Sequence, residues 1–153
     1  MDLAVYQIIK EGDPVLREKA KPIKTVNAAA LRLLDNLRDT LFETETGVGL
    51  AAPQIGVSKQ AVVIATEDDY LEMINPQIIE KEGSEEGWEG CLSVPGVEGL
   101  VPRATKLVVR YYDREGRLCE AKAQDFLARV IQHEVDHLSG VLFTDRAEQI
   151  NKD

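Results

Sequence analysis

The most restrictive feature of the sequence is a helix near its carboxyl end that must bury polar side chains. Apolar spacing predicts this helix over residues 125–139, with Gly140 ending it. At about 100° per residue, its apolar face is formed by Phe126, Leu127, Val130, Ile131 and Leu138. Glu134 lies near the centre of that face, and His133 and His137 lie at its edge. Each of these inward-facing side chains needs a partner, because an unpaired polar group is costly inside a protein.

A metal ion would supply that partner for the two histidines. Side chains four residues apart stand one above the other on a helix, so His133 and His137 can bind one ion. Glu134, next to the first histidine, is placed to take a proton from water bound to the metal. A pair of surface histidines beside a solvated glutamate is the competing interpretation, and the inward placement of all three side chains favours the metal.

A catalytic metal site usually has three protein ligands and an open position for water. The candidates for the third ligand are Cys91, Cys119 and the aspartates and glutamates. Cys91 is favoured because it follows Gly90, which permits close backbone approach, and because the N–H of Leu92 can point at the same metal-bound group. Cys119 lies in a predicted strand after a hairpin and is interpreted as a packing residue.

The chain before this helix alternates between helical and extended patterns. Asp13 followed by Pro14 predicts a short helical turn. Asn27 caps a longer predicted helix, whose leucines recur at helical spacing and which is ended by Gly47 and Gly49. Short strands are predicted over residues 61–65, 71–75, 77–80, 107–112 and 118–123.

The strands are separated by a proline, a hairpin turn and an acidic segment. Pro76 separates two of the strands, and residues 113–116 form the turn of a hairpin. Residues 83–90 are acidic and glycine-rich, and we predict irregular structure there. Together the elements predict an α+β fold, with mainly antiparallel sheets packed around a central metal-binding helix in a single domain over residues 1–153.

Composition narrows the classes of partner and compartment. The net charge of −9 disfavours binding to nucleic acid, because phosphate backbones repel an acidic chain. No apolar run is long enough to cross a membrane, and residues 1–12 lack the basic and apolar regions of a signal peptide. We therefore expect a cytoplasmic protein that binds neither nucleic acid nor membrane.

Three short motifs, in a fixed order, resemble one enzyme family. They read GVGLAAPQ at residues 47–54, EGCLS at residues 89–93 and HEVDH at residues 133–137. In these motifs the chain resembles peptide deformylase, the metalloenzyme that removes the formyl group from N-formylmethionine at the start of new bacterial polypeptides. The resemblance covers essentially the whole chain. It implies that the protein is located in the cytoplasm, in a bacterial or organelle-like setting.

The resemblance implies a role for each motif residue. It implies three metal ligands: Cys91, His133 and His137. Metal-bound water would attack the formyl carbon, with Glu134 acting as general base and then as general acid. Gln54 and the backbone N–H of Leu92 would stabilise the oxyanion that forms, and Val48 and Gly49 would border the substrate backbone.

The expected cofactor is one divalent metal ion per chain. A thiolate with two imidazoles suits Fe²⁺, Zn²⁺, Co²⁺ and Ni²⁺, and the resemblance alone favours Fe²⁺ as the native metal. The expected partners are N-formylmethionyl peptides and, transiently, the ribosome. Some relatives dock on the ribosome through a C-terminal helix, but residues 145–153 are short and mixed in charge for such an element.

A methionine pocket is predicted on the same helix as the histidines. Phe126 and Val130 project from the helix face of His133, two turns and one turn before it. Val48 from the first motif closes the other side. An unbranched thioether fits such an apolar pocket, so norleucine is expected to replace methionine and alanine to bind poorly.

Two other functions are considered for this chain. A metallopeptidase with a two-histidine helix usually takes its third ligand downstream, but no histidine follows His137. Comparing hydrolysis of formyl-Met-Ala-Ser and acetyl-Met-Ala-Ser separates the two enzymes. A non-catalytic metal-binding module is the second alternative, and turnover separates it from an enzyme.

Overall fold

Two antiparallel sheets and two long helices make up most of the computed structural model, which describes residues 5–153. The helices are α1 (Ala28–Phe42), α2 (Asp125–Leu138) and the short α3 (Phe143–Arg146), with 3₁₀ turns at Pro14–Arg17 and Ala52–Ile55. The strands are β1 (Gly49–Ala51), β2 (Ala61–Ala65), β3 (Tyr70–Glu82), β4 (Glu85–Cys91), β5 (Val94–Arg103), β6 (Lys106–Tyr112), β7 (Leu118–Gln124) and β8 (Gln149–Lys152). One sheet has the order β1-β2-β3-β6-β7 and the other β4-β5-β8. The predicted α+β class is confirmed.

The two long helices pack on opposite faces of the five-stranded sheet. Side chains alternate across a strand, and β2 shows the consequence clearly. Val62 and Ile64 pack in the same apolar cluster as Ile131 of α2. Val63 packs on the opposite side with Leu34 of α1. The helices therefore cover opposite faces, which explains why β2 is a continuous apolar run rather than an alternating one.

Local capping fixes the first helical elements as the sequence predicts. Asp13 Oδ1 accepts a hydrogen bond from Val15 N–H at 3.1 Å, and Asn27 Oδ1 accepts one from Ala30 N–H at 3.0 Å. The predicted end of the long helix at Gly47 is wrong, because α1 stops at Phe42. Beyond it, Thr44 Oγ1 donates to the carbonyl of Leu41 at 2.7 Å and turns the chain toward β1.

The strand pattern departs from the prediction around Pro76. Residues 71–75 and 77–80 belong to one strand, β3, rather than two. The pairing with β6 shifts register between Ile74 and Gln77, so Pro76 occupies an irregular position where its missing N–H costs no ladder bond. Asn75 has a φ of 52°, and its side chain bonds the backbone N–H and C=O of Ile23, each at 2.8 Å.

The predicted irregular structure over residues 83–90 is also wrong. Residues 85–91 form β4, which pairs with β5, and neither β5 nor β8 was predicted. Glycines, prolines and acidic side chains interrupt the apolar alternation by which a strand is recognised in sequence. The C-terminal residues add β8 to the edge of β5. No helix in the described part of the chain is long and apolar enough to span a membrane.

Candidate active site

Helix α2 presents its polar residues inward, as its spacing predicts. His133, Glu134 and His137 are all buried, with Glu134 only 4% exposed. Cys91, at the end of β4, meets this face from the smaller sheet, and its Sγ lies 3.4 Å from His137 Nε2. The potential ligand atoms of Cys91, His133 and His137 all lie within 4.8 Å of one another. These three side chains form a compact set of donors.

The geometry and chemistry of this set fit a divalent metal ion. One thiolate and two imidazoles form a donor set typical of zinc or iron. His133 Nδ1 is hydrogen-bonded to Glu89 Oε1 at 2.8 Å, so Nε2 is the ring nitrogen that remains to bind a metal. Burial lowers the pKa of His137 to about 3, so this imidazole is neutral, as a ligand must be. The set has three protein donors, as catalytic sites do.

Cys119 lies apart from these donors. Its Sγ is 3.6 Å from Asp113 Oδ2 and 3.5 Å from the carbonyl oxygen of Arg117, in the β6–β7 hairpin. Among the described residues, Cys91 is therefore the cysteine that the fold brings to the histidines.

Glu89 is the centre of a buried ion-pair network behind the histidines. Arg103 Nε and Nη2 each donate to its carboxylate at 2.9 Å, and Arg129 Nη1 donates at 2.6 Å. Burial alone would raise the pKa of Glu89, but the hydrogen bonds from Arg103 and His133 lower it to about 2. Glu89 thus remains a carboxylate that orients the His133 ring. Arg103 Nη1 also donates to Asp136 Oδ2 at 2.6 Å.

Sequence reasoning missed the role of this network. In the sequence Glu89 stands out only as part of the second motif, and no local pattern marks Arg103 or Arg129 as its partners. A signal did exist: Glu89 lies two residues before a candidate ligand cysteine. Its partners, however, lie 14 residues away for Arg103 and 40 residues away for Arg129.

The carboxyl group of Glu134 is held in a dry and confined position. Burial raises its pKa to about 7, although the nearby His133 opposes that shift. Its Oε1 is buried and has no hydrogen-bond partner among residues 5–153. A Cβ atom added at Gly49 would lie 2.6 Å from Glu134 Oε2, so any other residue there would displace the carboxylate. A carboxyl group with a pKa near neutrality can both accept and return a proton.

The carboxamide of Gln54 is fixed by bonds at both ends. Its Oε1 accepts from the N–H of Ala51 at 2.9 Å, so its NH₂ must face the other way. That NH₂ donates to Ser93 Oγ at 3.1 Å and lies 3.6 Å from Cys91 Sγ. Gln54 and Ser93 are both buried. An amide donor is therefore aimed beside the cysteine sulfur, and Ser93 is a supporting residue that sequence reasoning missed.

A cleft of about 550 Å³ opens onto these groups. Every predicted site residue except the buried His137 lines it: Val48, Gly49, Gln54, Cys91, Leu92, Phe126, Val130, His133 and Glu134. Phe126 corrects one expectation, since it is 57% exposed rather than part of the buried face of α2. It belongs to the first turn of the helix and lines the cleft, as the exposed Trp88 also does.

Comparison with known proteins identifies close relatives of the chain. The family model described as polypeptide deformylase matches residues 5–153. The peptide deformylase of Syntrophomonas wolfei is 51% identical, over 95% of this chain and 95% of that protein. The one from Carboxydothermus hydrogenoformans is 50% identical, over 97% of each.

Solved structures give the same result for the fold. A peptide deformylase from Synechococcus elongatus, in complex with actinonin, has a TM-score of 0.90 and 42% identity, covering 94% of this chain and 79% of that one. The peptide deformylase of Thermotoga maritima has a TM-score of 0.91 and 37% identity, covering 95% of this chain and 99% of that one.

Proposed function

We propose a mechanism on the premise that the chain belongs to the peptide deformylase family and is an enzyme that removes an N-terminal formyl group. The substrate is N-formylmethionine at the start of a newly made polypeptide. The products are formate and a free amino terminus. The observation that carries the proposal is that a Cys-His-His donor set lies beside the buried Glu134, whose Oε1 has no hydrogen-bond partner among residues 5–153, at one cleft.

Cys91, His133 and His137 would hold one divalent metal ion. Such an ion, when bound, polarises a carbonyl oxygen and lowers the pKa of water. Fe²⁺ is proposed as the native metal from family membership, and Zn²⁺, Ni²⁺ and Co²⁺ suit the same donors. Glu89 keeps the His133 ring in the tautomer whose Nε2 is free to bind metal.

Glu134 is the residue that transfers a proton during hydrolysis. Its carboxylate accepts a proton from the attacking water and then passes it to the nitrogen that leaves as the amine. The pKa of about 7 supports both steps at neutral pH. Gly49 supports the role because it lets the carboxylate lie against the backbone of β1.

Gln54 and the backbone N–H of Leu92 stabilise the negative charge that develops on the formyl oxygen. Donors that are already oriented need no reorganisation when the transition state forms. Removing one such donor raises the activation free energy by roughly 3 kcal/mol. The support for Gln54 is its fixed orientation, with Ala51 holding the amide oxygen and Ser93 one amide hydrogen.

The substrate chain lies along Val48 and Gly49, and its methionine side chain enters the cleft beside Phe126 and Val130. The extra methyl of an acetyl group would have to fit between the metal donors, Gln54 and Leu92. This crowding gives the discrimination between formyl and acetyl peptides.

We place the reaction in the cytoplasm, with transient contact to the ribosome. Residues 149–152 form β8, which pairs with β5, so these residues themselves are not a docking helix.

The test is turnover by anaerobically purified protein with metal analysis of the same sample. Hydrolysis of formyl-Met-Ala-Ser, without hydrolysis of acetyl-Met-Ala-Ser, is the expected result. Cleavage of the Met-Ala bond would instead indicate a metallopeptidase, and bound metal without turnover would indicate a binding module.

A further inference from the structure

Arg129 brings a charged group to the cleft wall beside the proposed methionine pocket. It precedes Val130 on α2 and lines the same cleft, with its side chain only 15% exposed. Its guanidinium lies against the backbone of β4 at Gly87. A Cβ atom there would lie 2.8 Å from Arg129 Cζ, so the absence of a side chain makes room for this group.

Only part of the hydrogen-bonding capacity of Arg129 is used within the described chain. Nη1 donates to Glu89 Oε2 at 2.6 Å and to the carbonyl of Val101 at 2.9 Å. Nη2 donates to the carbonyl of Glu85 at 2.7 Å. A guanidinium has five N–H donors. One N–H on Nη2 and the N–H on Nε therefore have no acceptor among residues 5–153.

Arg129 lines the same cleft as Phe126 and Val130, so its two remaining N–H groups are donors for a polar group bound in that cleft. A wholly apolar pocket rejects a polar side chain, because burying an unpaired oxygen is costly. Arg129 shares the carboxylate of Glu89 with Arg103, and a neutral acceptor would complete the hydrogen bonds of Arg129. The first residue of the substrate is methionine, and oxidation of its thioether to the sulfoxide adds such an acceptor.

We propose that Arg129 binds the sulfoxide oxygen of an oxidised first residue, so that the enzyme also deformylates formyl-methionine sulfoxide peptides. This inference rests on the proposed deformylase function. The chemistry is the same hydrolysis: water adds to the formyl carbon, the C–N bond breaks, and formate and the free amine form. The sulfoxide is neither reduced nor oxidised, and Arg129 determines specificity without taking part in the bond changes.

The test compares kcat/KM for formyl-Met-Ala-Ser and for both epimers of formyl-Met(O)-Ala-Ser. In the unchanged enzyme, at least one epimer is expected to react within about tenfold of the thioether peptide. Arg129→Met keeps the length of the side chain but removes the donors. It is expected to lower the sulfoxide-to-thioether ratio by about tenfold or more, the effect of losing a hydrogen bond to a charged group.

Two further variants separate binding from structural damage. Gly87→Ala keeps the charge but pushes the guanidinium aside, so it is also expected to lower the ratio. Arg110→Met is the matched control, because Arg110 pairs with Glu120 on the β6–β7 hairpin, away from the cleft, and the ratio should not change. If Arg129→Met fails to fold, the sulfoxide-to-thioether ratio of Gly87→Ala is the measurement that tests the inference.

Three results would overturn the inference. One is hydrolysis of the thioether peptide with no reaction of either sulfoxide epimer. Another is an equal fall in kcat/KM for all peptides in Arg129→Met, which would show that Arg129 is a structural residue. Failure to hydrolyse even formyl-Met-Ala-Ser would overturn the proposed function itself, and that result is distinct from the first two.

Discussion

Helices α1 and α2 cover opposite faces of the same sheet and are buried to similar depth, but their inward sides differ in chemistry. On α1 four of the six buried residues are leucine, with Leu34 and Leu37 completely buried. On α2 they include His133, Glu134 and His137. Burying a leucine contributes roughly 1.5–3 kcal/mol to stability. Burying an unpaired polar group costs about 1–3 kcal/mol. One face therefore stabilises the fold, and the other uses part of that stability to hold a reactive site.

The largest expected effect is on the α2 side, at the ligand that β4 supplies. Cys91→Ser should release the metal and remove nearly all deformylase activity, because the thiolate is one of three donors. Metal content and turnover of anaerobically purified protein measure this. Cys119→Ser is the matched control and should change neither quantity, since its sulfur contacts only the hairpin. The reverse order of effects would move the site to Cys119.

Glu134→Gln should separate activity from stability. We expect kcat to fall by about 10²–10⁴, the contribution of a general base, while metal content stays unchanged. The free energy of unfolding of the metal-free protein should stay the same or rise, because the buried Oε1 of this carboxyl group has no hydrogen-bond partner among the described residues. Loss of metal together with activity would show that Glu134 is a ligand or a structural support.

A substitution on the inward side of α1 should lower stability and leave activity unchanged, the opposite of the effect on α2. Leu37→Ala should lower the free energy of unfolding by about 2–5 kcal/mol, since it leaves a cavity at a completely buried position. Denaturant titration measures this. Below the unfolding transition, kcat/KM should match that of the unchanged enzyme. A clear fall in kcat with the fold intact would contradict this division of roles, because it would show that packing of α1 also affects catalysis.

The smallest expected effect concerns the support of Gln54. Ser93→Ala removes one acceptor of its NH₂ group, so the amide is less firmly held. A neutral hydrogen bond is worth about 0.5–1.5 kcal/mol, which corresponds to a two- to tenfold lower kcat with KM little changed. Ser84→Ala, at an exposed position between β3 and β4, serves as the control. A change in KM alone would indicate that Ser93 acts on substrate binding.

The comparison also explains how much could be predicted from sequence. The periodicity of α2 predicted that Glu134 faces inward, and the Asn27 cap predicted where α1 begins, because both depend on neighbouring residues. The strand β4 was not predicted, because its glycines and glutamates do not alternate with apolar residues. Nor was the burial of Glu89, which depends on Arg103 in β5 and Arg129 in α2. Such contacts between distant residues are set by tertiary pairing.

The exposure of Phe126 has a similar cause. Its position on the helix wheel matches that of Val130, yet Val130 is buried and Phe126 is 57% exposed. Periodicity gives the direction of a side chain but not whether another element lies opposite it. The first turn of α2 faces the open cleft, so the same direction leads to solvent.

The burial of β2 on both faces has a consequence for hydrogen exchange. Its backbone amides are paired with β1 on one side and β3 on the other, and its side chains lie in two separate apolar clusters. Deuterium can reach the amides of Val62 and Val63 only when the whole domain opens, so their exchange rates report global stability. The strand β8 has four exposed side chains and one partner strand, and its amides should exchange by fraying. A single exchange experiment on the intact enzyme would therefore measure both a strongly protected and a weakly protected strand.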